Sequence, residues 1–169
     1  MILRGEYNVN TDEDRIKLIA DIVEESSKDP DIRELSLGIL RKAGVQEKDT
    51  HGEIKTIFNW VKRNIQYRGD VFCRDSYHTA NRIIKLRAGD CDDMSILLDS
   101  MLASVGIPIG ARIMSSRMNK PFHHIYALAG VRTRQGMQWI PLDATNKSYN
   151  AGDEPKWAKK KDFLFVCGE

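Results

Sequence analysis

Gly89-Asp90-Cys91-Asp92-Asp93 is followed by Met94, Leu97, Leu98, Met101, Leu102 and Val105. These apolar residues recur at i, i+3, i+4, i+7, i+8 and i+11, the spacing of one helical stripe. The pattern predicts an amphipathic helix that opens at Cys91 and stops at Gly106, with Pro108 just beyond. Cys91 lies three residues before Met94, so its side chain points toward the inward face. At the first turn of a helix the backbone N–H groups are unpaired and the dipole is positive. That placement favours thiolate over thiol, and the thiolate is the nucleophile. Asp90, Asp92 and Asp93 act against it, because their charge raises the pKa of a nearby thiol. Their expected role is structural, as caps and loop staples.

A nucleophile needs a base and a group to orient it. Residues 122–130, Phe-His-His-Ile-Tyr-Ala-Leu-Ala-Gly, form an apolar run rich in strand formers. Residues 137–145, Met-Gln-Trp-Ile-Pro-Leu-Asp-Ala-Thr, form another, with Asp143 at its end. Neighbours on a strand face opposite sides, so only one of His123 and His124 can face Cys91. His124 shares its face with Tyr126 and Leu128. Asp143 has a plainer reading too, as a turn or cap residue in Asp-Ala-Thr-Asn. Cysteine on a helix N-terminus, histidine on a strand and carboxylate at the next strand's end make a nucleophile, a base and an orienter.

These segments resemble the transglutaminase-like superfamily, whose core is papain-like. Gly89-Asp90-Cys91-Asp92-Asp93, Leu97-Leu98, Gly106-Ile107-Pro108 and Arg112 resemble its nucleophile segment. His124-Ile125-Tyr126 resembles its histidine strand, and Trp139 to Thr145 its aspartate strand. Phe58 to Tyr67, ending Ile-Gln-Tyr, resembles the helix that precedes the core in short bacterial phage and prophage members. The resemblance covers roughly residues 50 to 145. It implies catalytic Cys91, His124 and Asp143, with Asp143 accepting from the imidazole Nδ1–H. It also implies acyl transfer at an amide through a thioester, more hydrolytic (protease, amidase or deamidase) than cross-linking. The implied partners are a protein or peptide substrate and phage structural proteins, in a bacterial or viral cytoplasmic setting or in a virion.

The remaining chain fits an α+β fold, helices first and an antiparallel sheet after. Thr11 with Asp14, Asp29-Pro30 and Thr50 with Glu53 mark three helix starts, and a fourth, short helix spans about 79–86. Strands are expected near 110–116, 122–130, 137–143 and 162–167, with a further short strand or arm over 1–9. The expected organisation is one domain over 1–169. It comprises a helical annex (1–48), a core (49–145) and a C-terminal extension (146–169). An oxyanion would be held by the Cys91 N–H, with Trp60, Gln66 or Tyr67 as side-chain donors. His51 and His78 read as surface or capping residues, and Lys159-Lys160-Lys161 as a solvated face.

Composition bounds the alternatives. The 169 residues carry 26 Lys and Arg against 24 Asp and Glu, a net charge of +2. That is no electrostatic footprint for nucleic acid. No apolar run approaches the ~20 residues of a membrane span, and Met-Ile-Leu-Arg-Gly-Glu does not read as a signal peptide. Cys73, Cys91 and Cys167 are odd in number and widely spaced, which suits free thiols in a reducing compartment. Without a CxxC pair neither a structural zinc nor a cofactor is expected. Two other classes remain: a non-catalytic module of a phage particle, and a metal site built from Asp90, Cys91, Asp93 and a histidine.

Overall fold

A computed structural model describes residues 9–69 and 76–165. Helices α1 (Asp12–Ser27), α2 (Pro30–Ala43) and α3 (Thr50–Asn64) come first. A two-residue strand β1 (Gln66–Tyr67), helix α4 (Ala80–Leu86) and strand β2 (Ala88–Gly89) lead to helix α5 (Cys91–Ser104). Strands β3 (Ile109–Ser115), β4 (His124–Thr133), β5 (Gly136–Leu142) and β6 (Lys159–Phe165) complete the chain. The last four form an antiparallel sheet in the order β5-β4-β3-β6. The fold is α+β, with helices N-terminal and the antiparallel sheet C-terminal.

Local chemistry sets the helix ends. Thr11 and Asp14 form a reciprocal capping box on α1. Asp29 caps α2, Pro30 takes its first position, and Gly44 ends it at φ +71°, a conformation open to glycine. The start of α3 differs from the sequence reading: Asp49, not Thr50, is the cap, and its carboxylate accepts from the Gly52 N–H at 3.0 Å. The other end of α3 is capped from far along the chain. Lys147 donates to the carbonyl oxygens of Lys62 and Ile65, where a cation is favoured.

Three further expectations are revised. The parallel pair β1–β2 (Gln66 with Ala88, Tyr67 with Gly89) was not foreseen, because two residues carry no periodicity. β4 begins at His124 rather than at Phe122, so His123 precedes the strand. β6 begins at Lys159, so the lysine run lies in a strand at the sheet edge. Lys159, Lys160 and Lys161 stand over the rings of Phe122, Trp157 and Phe163, at 4.8, 4.4 and 5.0 Å from the centroids. Charged edges of this kind discourage pairing with other chains. The opposite edge, β5, contains Pro141, which has no N–H to donate. Residues 1–8, with most of the short strand or arm expected over 1–9, and Cys73 and Cys167, expected as free thiols, lie outside the described residues.

α5 departs most from expectation. It is not amphipathic: twelve of its 14 residues are buried, and it packs on α1, α2, α3, α4 and β4. The apolar stripe contributes Met94, Leu97, Leu98, Met101 and Leu102, yet Ile96, Ser95, Asp99, Ser100 and Ser104 are buried as well. The serines are cheap to bury because their hydroxyls bond to their own helix. Ser95 donates to the Cys91 carbonyl at 2.9 Å, Ser100 to that of Ile96 at 2.6 Å and Ser104 to that of Met101 at 2.7 Å. Ser104 also meets Ser36 of α2. The sheet supplies the floor with Ile109, Ala111, Ile113, Ile125, Ala127, Ala129 and Leu142, all from alternate positions on three strands.

Asp99 is the exception in this helix. It is fully buried, and neither carboxyl oxygen has a hydrogen-bond partner. Burial pushes its pKa well above the ordinary value, so the neutral acid is favoured. The native state then holds a proton that the unfolded chain releases above pH ~3.9. The contribution of Asp99 to stability is greatest below that pH and falls as pH rises toward the native pKa, by at most about 1.4 kcal/mol per pH unit. Asp99→Asn removes this titration. Urea midpoints measured from acid to mildly alkaline pH should decline less steeply in the variant than in the wild type.

Candidate active site

Cys91 is the first residue of α5. Its position is fixed by the residues around it. Asp90 is the cap, accepting from the Asp93 N–H at 2.9 Å, while the Asp93 carboxylate reaches back to the Asp90 N–H. Gly89 is required by this arrangement, since a Cβ there would lie 2.5 Å from the Asp93 Cβ. The parallel β1–β2 pair places Tyr67 opposite Gly89, two residues before the cysteine. The three acids therefore serve as caps and staples, each with its own partner. Asp92 pairs with Arg15 of α1, and Asp93 with His78 at 3.1 Å. His78 is thus more than a surface or capping residue, because it joins the segment before α4 to the start of α5. Among the described residues no group of three or more His, Cys, Asp or Glu side chains is arranged to hold a metal ion.

His124 opens β4 opposite Met114 of β3, and Asp143 follows directly on the end of β5. His124 Nε2 lies 2.8 Å from Asp143 Oδ2. This is the other ring nitrogen from the one expected, and it leaves Nδ1 free of the carboxylate. The Tyr126 ring packs against the imidazole, with centroids 5.7 Å apart, as residues on one strand face should. His123 is exposed, with its N–H bonded to the Met114 carbonyl.

Asp143 contacts both His124 and the turn that follows it. Its Oδ1 accepts from the Thr145 N–H at 3.1 Å and from the Thr145 hydroxyl at 2.6 Å, an Asx turn, while Oδ2 holds His124. Burial by itself would push this carboxyl up. The bonds from His124 and Thr145 outweigh that effect and hold it below the usual carboxylate range.

Tyr126 is fixed from the C-terminal segment, which sequence reasoning left without a role. Its hydroxyl donates to Glu154 at 2.6 Å, and Arg112 donates to Glu154 at 2.9 Å. Arg112 also grips both oxygens of Asp162 on β6, at 2.6 and 2.7 Å. Only the separations along the strands could have suggested this network, since Arg112, Tyr126 and Asp162 fall on paired positions.

The electrostatics of Cys91 contradict the simple helix-dipole argument. Burial is the largest influence, followed by the charges of Asp92 and Asp90, and together they push the thiol up to about 12. Arg15 and a hydrogen bond from the Ile125 backbone N–H act in the opposite direction. That N–H belongs to the residue after His124, so the sulfur lies beside the start of β4. The Cys91 N–H, at the first helical position, lies outside the intrahelical ladder. Of the proposed side-chain donors, Trp60 is half-buried against the core, while Gln66 and Tyr67 are exposed on β1.

Comparison with known proteins bears on the fold and the family. Two solved structures share the fold. One is a candidate cysteine protease of Cytophaga hutchinsonii, with 20% identity and a TM-score of 0.55, over 92% of this chain and 53% of that one. Another is a candidate protease of Parabacteroides distasonis, with 9% identity and a TM-score of 0.54, over 82% of this chain and 31% of that one. The chain spans about half the length of the first and a third of the second. No curated protein sequence matches it. The sequence profile of the transglutaminase-like superfamily matches residues 38–144, a span that contains Cys91, His124 and Asp143. With more than half of its length inside that match, the chain belongs to the transglutaminase-like superfamily.

Proposed function

We propose that the protein is a cysteine acyl-transfer enzyme acting on amide bonds of proteins or peptides, with water as the usual acceptor. The observation that carries this reading is the buried Asp143–His124 pair, held by Thr145, at the strand end where the Ile125 N–H meets the Cys91 sulfur.

The mechanism follows from the resting charges. Cys91 starts as a thiol, because its surroundings disfavour the thiolate. Asp143 anchors Nε2 as an N–H donor, which leaves Nδ1 as the acceptor for the thiol proton. As sulfur bonds to the carbonyl carbon, the proton moves to Nδ1 and the imidazolium is stabilised by the Asp143 carboxylate. The carbonyl oxygen gains the negative charge, and the Cys91 N–H faces it as a donor. Collapse of this intermediate breaks the C–N bond, and the Nδ1 proton goes to the leaving amine. Water then attacks the thioester, giving its proton to His124, and Cys91 leaves as the thiol. An amine in place of water would give a cross-link. Free thiols suit a reducing cytoplasm of a bacterium or its phage.

The high pKa of Cys91 favours one second reading, a non-catalytic module of a phage particle in which the cysteine is a buried core residue. The two readings part on a single assay. Incubation with casein is followed by measurement of new α-amino groups, released ammonia and incorporated fluorescent amine. New α-amino groups mean peptide hydrolysis, ammonia alone means deamidation, and ammonia with incorporated amine means cross-linking. Any of these activities should fall by at least about a thousandfold in Cys91→Ala and His124→Ala. Activity that survives in Cys91→Ala, or no turnover of any of the three kinds, overturns the enzymatic reading. Thr145→Val removes one bond from the Asp143 carboxylate and should lower kcat/KM roughly tenfold, about 1.4 kcal/mol, with unchanged secondary structure by circular dichroism.

A further inference from the structure

From sequence the N-terminal helices read as an annex over 1–48, and the superfamily match begins only at residue 38. One side chain of α1 contradicts that. Arg15 lies one turn into α1, and its neighbours Leu18 and Ile19 are buried in the core. Its Nη2 donates to Asp92 Oδ1 at 2.5 Å, and Asp92 is the residue next to Cys91. Asp92 is almost fully buried, and a buried carboxylate is tolerated only with a partner. The Arg15 Nε is buried too and has no hydrogen-bond partner, so this part of the cation is spent on nothing else.

We propose that Arg15 is a positioning residue for Cys91: it holds Asp92 in place and keeps a positive charge beside the sulfur. The inference rests on Cys91 being the nucleophile of the proposed reaction. The charge balance supports it. Cys91 faces Asp90 and Asp92 from its own helix, Arg15 from α1 and the Ile125 N–H from β4, the strand that His124 opens. Tyr77, before α4, lies within electrostatic reach of Arg15, and farther along that segment His78 is taken up by Asp93. Arg15 is the fixed cation of this set. In its absence the two carboxylates would act on the thiol with the Ile125 N–H alone against them, and proton transfer to His124 would become harder. With it, the negative charge that develops on sulfur during attack is met from the α1 side.

The test is a charge cycle read at the sulfur. The rate of iodoacetamide labelling of the Cys91 peptide is followed by mass spectrometry against pH in the full chain. The wild type is compared with Arg15→Met, Arg15→Lys, Asp92→Asn and the double variant Arg15→Met with Asp92→Asn. Arg15→Met should move the titration midpoint upward by about one pH unit, a tenfold slower reaction below the midpoint. Asp92→Asn should move it downward, Arg15→Lys should stay near the wild type, and the double variant should return toward it. Simple loss of packing would not give opposite signs for the two single changes. If Arg15→Met does not fold, the downward shift in Asp92→Asn and its reversal in the double variant still decide the matter. Equal midpoints in Asp92→Asn, the double variant and the wild type overturn the role of Arg15 while leaving the enzymatic reading intact. The expected shifts together with casein activity that survives Cys91→Ala overturn the enzymatic reading and leave the charge coupling standing. A Cys91 that resists labelling at every pH in every variant overturns both.

Discussion

The structure depends on a helix with almost no side turned to water. α5 lies under four other helices and on the sheet, in contact with α1, α2, α3, α4, β2, β3 and β4. Burying a helix all round removes a large apolar area from water, at ~25 cal/mol per Å2. It also leaves the polar groups of that helix to be satisfied from within. The serine hydroxyls turn back onto carbonyl groups of their own helix, and Asp90 with Asp93 closes the first turn. The nucleophile candidate stands at the one end of this helix that meets the strand carrying the histidine.

That placement sets a conflict which the surrounding residues resolve. The caps that start α5 are carboxylates and Cys91 is partly buried, and both disfavour the thiolate. The site answers with groups that act during attack rather than at rest: an imidazole held by a buried carboxylate, two backbone N–H groups and a guanidinium. They come from four parts of the fold: α1, the start of α5, β4 and the end of β5. β4 gives the histidine, the end of β5 the aspartate, and α1 the arginine. The C-terminal segment braces the histidine through Tyr126 and Glu154, while Lys147 caps α3.

Much of this was legible in the residues, for reasons that are local. Caps at Thr11, Asp29 and Asp90 are written as short side chains two or three residues before a partner N–H. β4 was legible as an apolar run rich in strand formers, and it is buried along most of its length. The His124–Asp143 pairing was implied by the family resemblance, but the ring nitrogen was not the one implied, since that depends on the angle at which the imidazole leaves the strand. α5 was misread because its back face is serine and aspartate, which look solvent-facing in a hydropathy pattern. Their burial depends on helices far along the chain. Arg15 and Glu154 were invisible for the same reason: their partners are 77 residues away for Arg15, and 42 and 28 away for Glu154.

The self-bonded serines have a consequence for how such a protein can vary. A buried helix that asked its neighbours for hydrogen bonds would tie each neighbour to a fixed sequence. α5 asks most of its surroundings only for apolar bulk, with Arg15, His78, Arg33 and the Ser36–Ser104 contact among the exceptions. The covering helices are therefore free to drift in sequence while the groove they fill keeps its shape. Architecture can outlast recognisable kinship under such a rule, which is the condition of a chain that shares its backbone path with proteins only 9% and 20% identical to it.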